Sequence, residues 1–77
     1  MDEIVLEALQ IAKNNKQGCT VNSCYDFGDF LYFGYTNKNG EEVNGPCIDK
    51  QTLKRISIDS SDLLLLKPIH KIDIEKY

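Results

Sequence analysis

The segment from residue 30 to residue 35 places large apolar side chains on both sides of any strand that it forms. Five of its six residues are large and apolar or aromatic, and residues 24–35 hold six of the seven aromatic residues of the chain. Side chains alternate between the two faces of a strand. One face therefore receives Leu31, Phe33 and Tyr35. The other receives Phe30 and Tyr32. Such a strand needs cover on both faces, and this requirement constrains the fold most strongly.

An amphipathic helix predicted at about residues 2–16 can cover one of these faces. Its apolar residues recur at helical spacing and fall in one stripe. The members of the stripe are Ile4, Val5, Ala8, Leu9, Ile11 and Ala12. Asp2 is the expected N-cap, and Gly18 is the expected stop after the helix.

Beyond Gly18 the apolar pattern has a period of two, which is typical of strands. The predicted strands cover about 20–27, 30–36, 46–50 and 53–58, followed by a short turn or helix at 61–66 and an extended tail at 69–75. The first strand is expected to present Val21, Ser23, Tyr25 and Phe27 on one face.

Gly28 interrupts the aromatic segment and leaves two interpretations open. Residues 20–36 form either one long kinked strand or a hairpin that turns at Phe27-Gly28-Asp29. The strand-like segments on both sides of this turn favour the hairpin. Residues 36–46, with two Asn-Gly pairs, predict a loop. The expected fold class is α+β, with one N-terminal helix packed on a three- to five-stranded antiparallel sheet in two layers.

Composition narrows the classes of function. A chain of 77 residues makes one domain. Its net charge of −3 argues against binding nucleic acid, because that binding depends on Lys and Arg neutralising phosphates. The longest apolar runs, such as Leu63–Leu66, have four residues and are far shorter than the roughly 20 residues of a membrane span. The acidic start at residues 1–3 is unlike a basic secretory signal, so a cytoplasmic location is expected.

Residue types that carry chemistry are few. Asp26 and Asp29 could act as paired carboxylates, but their place around a glycine favours a role in the turn. A thiol- or zinc-dependent protein would have to use Cys19, Cys24, Cys47 and His70. The gaps between these four residues are 4, 22 and 22 residues long and match no compact zinc motif. We therefore expect that the protein is not an enzyme and uses no cofactor. We also expect that its thiols are buried and that His70 is exposed.

The segment CIDKQTLKRI, residues 47–56, predicts a second hairpin. Asp49 and Thr52 can bond backbone amides across its turn. With the preceding helix, this V/I-D-K-x-T pattern resembles that of small bacterial immunity-like α+β proteins. The resemblance implies stoichiometric binding of another protein. Where the pattern has glycine after Thr52, this chain has Leu53, which resists a left-handed conformation and leaves the turn type open.

The favoured function is accordingly a small protein-interaction module of immunity or accessory type. The candidate partner-binding residues are the aromatics and acids of the first hairpin, Tyr25, Asp26, Asp29, Phe30, Tyr32 and Tyr35. The second apolar face of the strand at 30–36 is expected to be covered in one of three ways. Residues 63–66 and the tail fold over it, a second copy of the chain forms a homodimer, or a partner binds there.

Overall fold

The computed structural model describes residues 3–77 and confirms the α+β class. Its elements are α1 (Glu3–Asn15), β1 (Thr20–Asp26), β2 (Phe30–Thr36), β3 (Glu42–Asp49), β4 (Arg55–Ile56), α2 (Ser60–Leu65), β5 (His70–Ile72) and a 3-10 turn at Ile74–Lys76. The five strands form one antiparallel sheet in the order β4-β3-β2-β1-β5. Strand β2 is therefore central. The proposed N-cap, Asp2, lies outside the described residues.

The hairpin interpretation of the aromatic segment is confirmed, since β1 and β2 pair directly. The amide of Phe27 donates to the carbonyl oxygen of Phe30 at 3.0 Å. Gly28 has a φ of 95°, which glycine adopts without steric cost. Its amide donates to the Asp26 carboxylate at 2.8 Å, so the role of Asp26 in the turn is also confirmed.

The prediction that Val21 lies on the same face of β1 as Ser23 and Tyr25 is wrong. A bulge between Val21 and Ser23 shifts the register against β2. An extra residue in one strand reverses the alternation of side chains beyond it. Val21 is consequently buried on the same face as Cys24, whereas Ser23 and Tyr25 lie on the opposite face.

The predicted loop at 36–46 is shorter in the structure, because β3 already begins at Glu42. The side chain of Asn37 closes the turn by accepting from the amides of Asn39 and Glu41, each at 2.9 Å. The second Asn-Gly pair lies inside β3, next to a register shift against β2. A Cβ at Gly45 would lie 2.2 Å from the Phe33 carbonyl oxygen, so only glycine permits this close approach of the two strands.

The turn of the second hairpin contains the predicted bonds from the Asp49 side chain to backbone amides. Asp49 accepts from the amides of Gln51 at 2.8 Å and Thr52 at 3.0 Å. Leu53 nevertheless adopts the left-handed conformation, with a φ of 57°. This conformation costs about 1–2 kcal/mol for a residue with a Cβ, and the packing of Leu53 against the core opposes that cost. Because the turn extends through Leu53, the strand predicted at 53–58 is reduced to Arg55–Ile56.

The core lies between α1 and one face of the sheet, which we call the helix side. The buried helix residues are Val5, Ala8, Leu9 and Ala12. They cluster with the sheet residues Val21, Cys24, Leu31, Phe33, Tyr35, Ile48 and Ile72. The predicted stripe is thus largely correct, although Ile11 is half-buried and Ile4 is 40% exposed.

Tyr35 fixes the end of the helix to the sheet. Its side chain is 1% exposed, and its hydroxyl donates to the Ala12 carbonyl oxygen at 2.5 Å. The side-chain amide of Asn15 in turn donates to the same hydroxyl at 3.4 Å. This ring provides both apolar burial and a hydrogen bond at the last turn of α1.

The tail adds an edge strand, as its alternation predicts. Strand β5 pairs with residues 24–26 of β1. Ile72 is buried in the core on the helix side, and Ile74 packs against that core. The expectation that the tail covers the second face is therefore wrong for these two residues.

Replacement of Tyr35 by phenylalanine tests this attachment. We expect Tyr35→Phe to lower the free energy of unfolding by about 1 kcal/mol, because a buried hydrogen bond is lost while the ring is retained. The measurement is urea denaturation followed by circular dichroism. Tyr32→Phe is the matched control and should change stability by less than about 0.5 kcal/mol, since its hydroxyl bond is exposed. Equal effects of the two variants would contradict this role of Tyr35.

Candidate partner-binding surface

The face of the sheet opposite α1, which we call the open face, carries a pair of tyrosines. Tyr25 and Tyr32 are directly opposite each other in the β1–β2 ladder, with ring centroids 6.4 Å apart. The Tyr32 hydroxyl donates to the Asn44 side chain at 2.9 Å. The ammonium of Lys71 lies 5.9 Å from the centre of the Tyr25 ring. Both tyrosines are half-buried, so part of each ring is available to another molecule.

Helix α2 and the residues after it build a groove against these tyrosines. The groove has a volume of about 440 Å³. Its lining residues are Tyr25, Phe27, Tyr32, Asn44, Leu63, Leu64, Leu66 and Pro68. We call it the tyrosine–leucine groove. Its lining is almost entirely apolar, which suits an apolar side chain of a partner.

Helix α2 also carries an exposed apolar ridge beside the groove, and one of its two residues, Leu64, lines the groove as well. Leu64 is 85% exposed and Leu65 is 82% exposed, and we call these two residues the leucine ridge. Ile69, which follows Pro68, is 68% exposed. Adjacent exposed apolar side chains of this size are typical of interaction sites.

The aromatic residues that the sequence proposes for partner binding lie on both faces of the sheet. Tyr25 and Tyr32 lie on the open face, as proposed. Phe30 also faces this side, but it is only 8% exposed and stacks on Phe27 at 4.9 Å. Tyr35 belongs to the helix-side core, so its assignment to a partner-binding surface is wrong.

Asp26, a second candidate partner-binding residue from the sequence, is likewise buried. Its carboxylate lies 2.7 Å from the Lys50 ammonium and 3.9 Å from the Nε2 atom of His70. Burial alone would raise the pKa of Asp26, but the hydrogen bonds from Lys50 and the Gly28 amide outweigh burial and lower it. Asp26 therefore stabilises the end of the first hairpin as a charged group. The other acid, Asp29, is exposed.

The cysteines of the alternative hypothesis are distributed over both faces. Cys24 is buried on the helix side, and Cys47 is opposite Tyr32 on the open face. Burial raises the pKa of the Cys24 thiol to about 12, and the charge of Asp26 adds to this effect. Burial also raises the pKa of Cys47. Across residues 3–77, no group of three His, Cys, Asp or Glu side chains is arranged to hold a metal ion.

The leucines of α2 are the part of this surface that sequence reasoning missed. Cover of the sheet by the run at 63–66 is one of the three arrangements left open by the sequence, whereas three of the four leucines, Leu64, Leu65 and Leu66, are exposed in the structure. The signal was present in the sequence, since a helix of one or two turns cannot bury four consecutive leucines on one face.

Comparison of the chain with protein-family models, with curated proteins and with solved structures finds no match in any of the three. Within the described residues, no helix combines the length and the apolar character of a membrane span.

The ion pair of Asp26 predicts a pH-dependent loss of stability. We expect Asp26→Asn to lower the free energy of unfolding at pH 7 by about 1–3 kcal/mol, because the Lys50 ammonium loses its charged acceptor. Since folding lowers the pKa of Asp26, its contribution is complete above about pH 5 and is lost as the pH falls below about 4. Urea denaturation at pH 7 and pH 3 measures both differences.

The difference between wild type and Asp26→Asn should therefore shrink at pH 3. Asp29→Asn is the matched control, because it makes the same chemical change at an exposed position of the same turn. An offset of equal size at both pH values would contradict the role given to the Asp26 charge.

The burial of the thiols predicts the order in which they react. A thiol-reactive dye should modify the half-buried Cys19 first, whereas Cys24 and Cys47 should react fully only after unfolding in urea. Absorbance of the released chromophore gives the number and rate of reacting thiols. Cys19→Ser should abolish the fast phase. Rapid reaction of two or three thiols in the native protein would revive the thiol-dependent hypothesis.

Proposed function

We propose that this protein is a small cytoplasmic protein-interaction module, of immunity or accessory type, that acts by stoichiometric binding rather than by catalysis. The observation that carries the proposal is the leucine ridge beside the tyrosine–leucine groove. A ridge exposed by more than 80% at both of its residues has an unfavourable contact with water. Burial in a complex would remove that contact.

The composition of the surface also supports binding of a protein. Its centre is formed by tyrosine rings and leucine side chains, and polar groups such as Asn44 and Lys71 lie beside the rings. An apolar, aromatic centre with a polar rim is the usual arrangement of protein–protein interfaces. Tyrosine in particular is enriched among the residues that dominate binding energy.

The burial of Asp26 bears on how a partner would be recognised. A carboxylate paired with Lys50 on the helix side contributes little to the charge of the open face. Recognition on this face would consequently depend on apolar contacts, with charges at the rim affecting mainly the association rate.

Photo-cross-linking in the native host tests the proposal. A photoreactive phenylalanine analogue replaces Leu64 in one variant and Glu7 in the control, where Glu7 is exposed on α1. We expect irradiation to give a covalent adduct with one other protein from position 64 and not from position 7. Mass spectrometry identifies the adduct, and calorimetry with the purified partner should give a stoichiometry near 1.

The same experiment separates specific from incidental contacts. Identical sets of adducts from the two positions, or no heterologous adduct from position 64, would contradict binding through this surface. An adduct of the chain with itself is counted separately.

A further inference from the structure

We infer that the outer edge of β3 and a basic groove beside it bind an extended, acidic segment of another protein. The groove has a volume of about 690 Å³. It is lined by Asn15 and Lys16 at the end of α1, by residues 44–46 of β3 and by residues 55–57. Its lining shares Asn44 with the tyrosine–leucine groove but includes none of the leucines of α2. This second surface therefore goes beyond the one assigned above to partner binding.

Part of the outer edge of β3 has no neighbouring strand. Strand β4 pairs with Cys47 and Ile48. Within residues 3–77, no strand lies beside residues 42–46 on that side. After Ile56 the chain forms no further strand until His70, and that strand lies at the opposite edge of the sheet. The first half of β3 is thus an open sheet edge, to which an extended peptide can add as a new strand.

The backbone groups of two residues point outward from this edge. In an antiparallel ladder, successive residues direct their N–H and C=O groups alternately to the two sides of the strand. The Asn37 amide donates to the Glu41 carbonyl oxygen at 2.9 Å, so Glu41 faces β2. The register against β2 is regular from Glu42 to Asn44, so the backbone groups of Glu42 and Asn44 face outward. Both residues are exposed, and an incoming strand can bond to them without displacing β2.

Two cations give the adjacent groove a positive charge. Lys16 and Arg55 line the groove, whereas no Asp or Glu side chain does. Neither cation forms an ion pair with another of the described residues. The Arg55 guanidinium donates instead to the side-chain oxygen of Asn15, which is a neutral acceptor. The groove is therefore positive, although the chain as a whole has a net charge of −3.

The charges around the edge indicate which end of an incoming strand is acidic. Arginine and lysine both bind carboxylates through charge-assisted hydrogen bonds. The C-terminal end of α1 contributes about half a negative charge, which the two full positive charges outweigh. Glu42 lies at the other end of the open edge and does not line the groove. An acidic residue is consequently favoured beside the groove, and an uncharged or basic residue is favoured opposite Glu42.

Selection from a random library of short linear peptides displayed on phage tests the inference, with the purified full chain as bait. We expect the enriched peptides to share an Asp or Glu next to β-forming residues. A synthetic copy of such a peptide should slow hydrogen exchange of the Glu42 and Asn44 amides, measured by NMR. A selection that yields no enriched peptide, or only peptides that leave these two amides unprotected, overturns the inference.

Variants separate the contribution of charge from that of the backbone. Lys16→Gln combined with Arg55→Gln should weaken binding of the synthetic peptide about 10-fold. The matched control, Lys67→Gln combined with Lys76→Gln, removes the same charge away from the groove and should have little effect. Equal effects of these two double variants overturn the acidic assignment.

Glu42→Pro removes one outward N–H group and leaves the bonds to β2, because proline is tolerated at sheet edges. We expect it to weaken peptide binding about 10-fold, with an unchanged circular dichroism spectrum. Glu42→Gln retains the N–H group and should not weaken binding. Undiminished binding to folded Glu42→Pro overturns the addition of a strand at this edge.

The two surfaces are tested independently, since Leu64→Ser should leave peptide binding at the β3 edge unchanged. A heterologous adduct from position 64, without any peptide that protects Glu42 and Asn44, overturns this inference and leaves the proposed function supported. Protection of these amides without an adduct from position 64 supports the inference and contradicts binding through the leucine ridge.

Discussion

Burial of both faces of strand β2 is the constraint on which the rest of the structure depends. On the helix side, Leu31, Phe33 and Tyr35 are buried against α1, and their exposed fractions are 1% or less. At about 1.5–3 kcal/mol for each large side chain, this layer supplies much of the stability of so small a domain. The open face has no second long helix among residues 3–77. Its cover consists of Phe30 stacked on Phe27 and the short helix α2, and this asymmetry creates the candidate surface.

The fold could be predicted largely from the sequence, because its main signals are local. The helical stripe, the Gly28 hairpin and the side-chain bonds of Asp49 each depend on residues close together in the chain. The errors arise where contacts between residues far apart in the chain determine the local structure. A prediction that alternates every side chain between the two faces cannot reveal the bulge after Val21. The residue at which β3 begins depends on its pairing with β2. Leu53 shows the same principle, since packing against the core opposes the cost of its left-handed backbone.

The site was harder to predict than the fold, because composition does not show which face a side chain occupies. Tyrosine and aspartate in one hairpin indicated a polar, aromatic surface, yet Tyr35 and Asp26 serve the interior. In the described part of the chain, every buried side-chain nitrogen or oxygen has a hydrogen-bond partner. Polar groups are thus satisfied within the monomer, whereas the leucines of α2 are not buried. The incomplete part of this molecule is apolar, and apolar surface favours association.

The attachment of β5 has a consequence for the order in which the native protein opens. Three residues hold this strand to β1, together with the bond from the Ile69 amide to the Asp26 carbonyl oxygen at 2.7 Å. Short edge strands separate from a sheet at lower free energy than central strands, so the amides of residues 70–72 would exchange with solvent deuterium before those of β2. Detachment would expose the backbone of Cys24, Tyr25 and Asp26 as a vacant ladder. A foreign strand that pairs there would have to replace Ile72, which is buried in the core on the helix side.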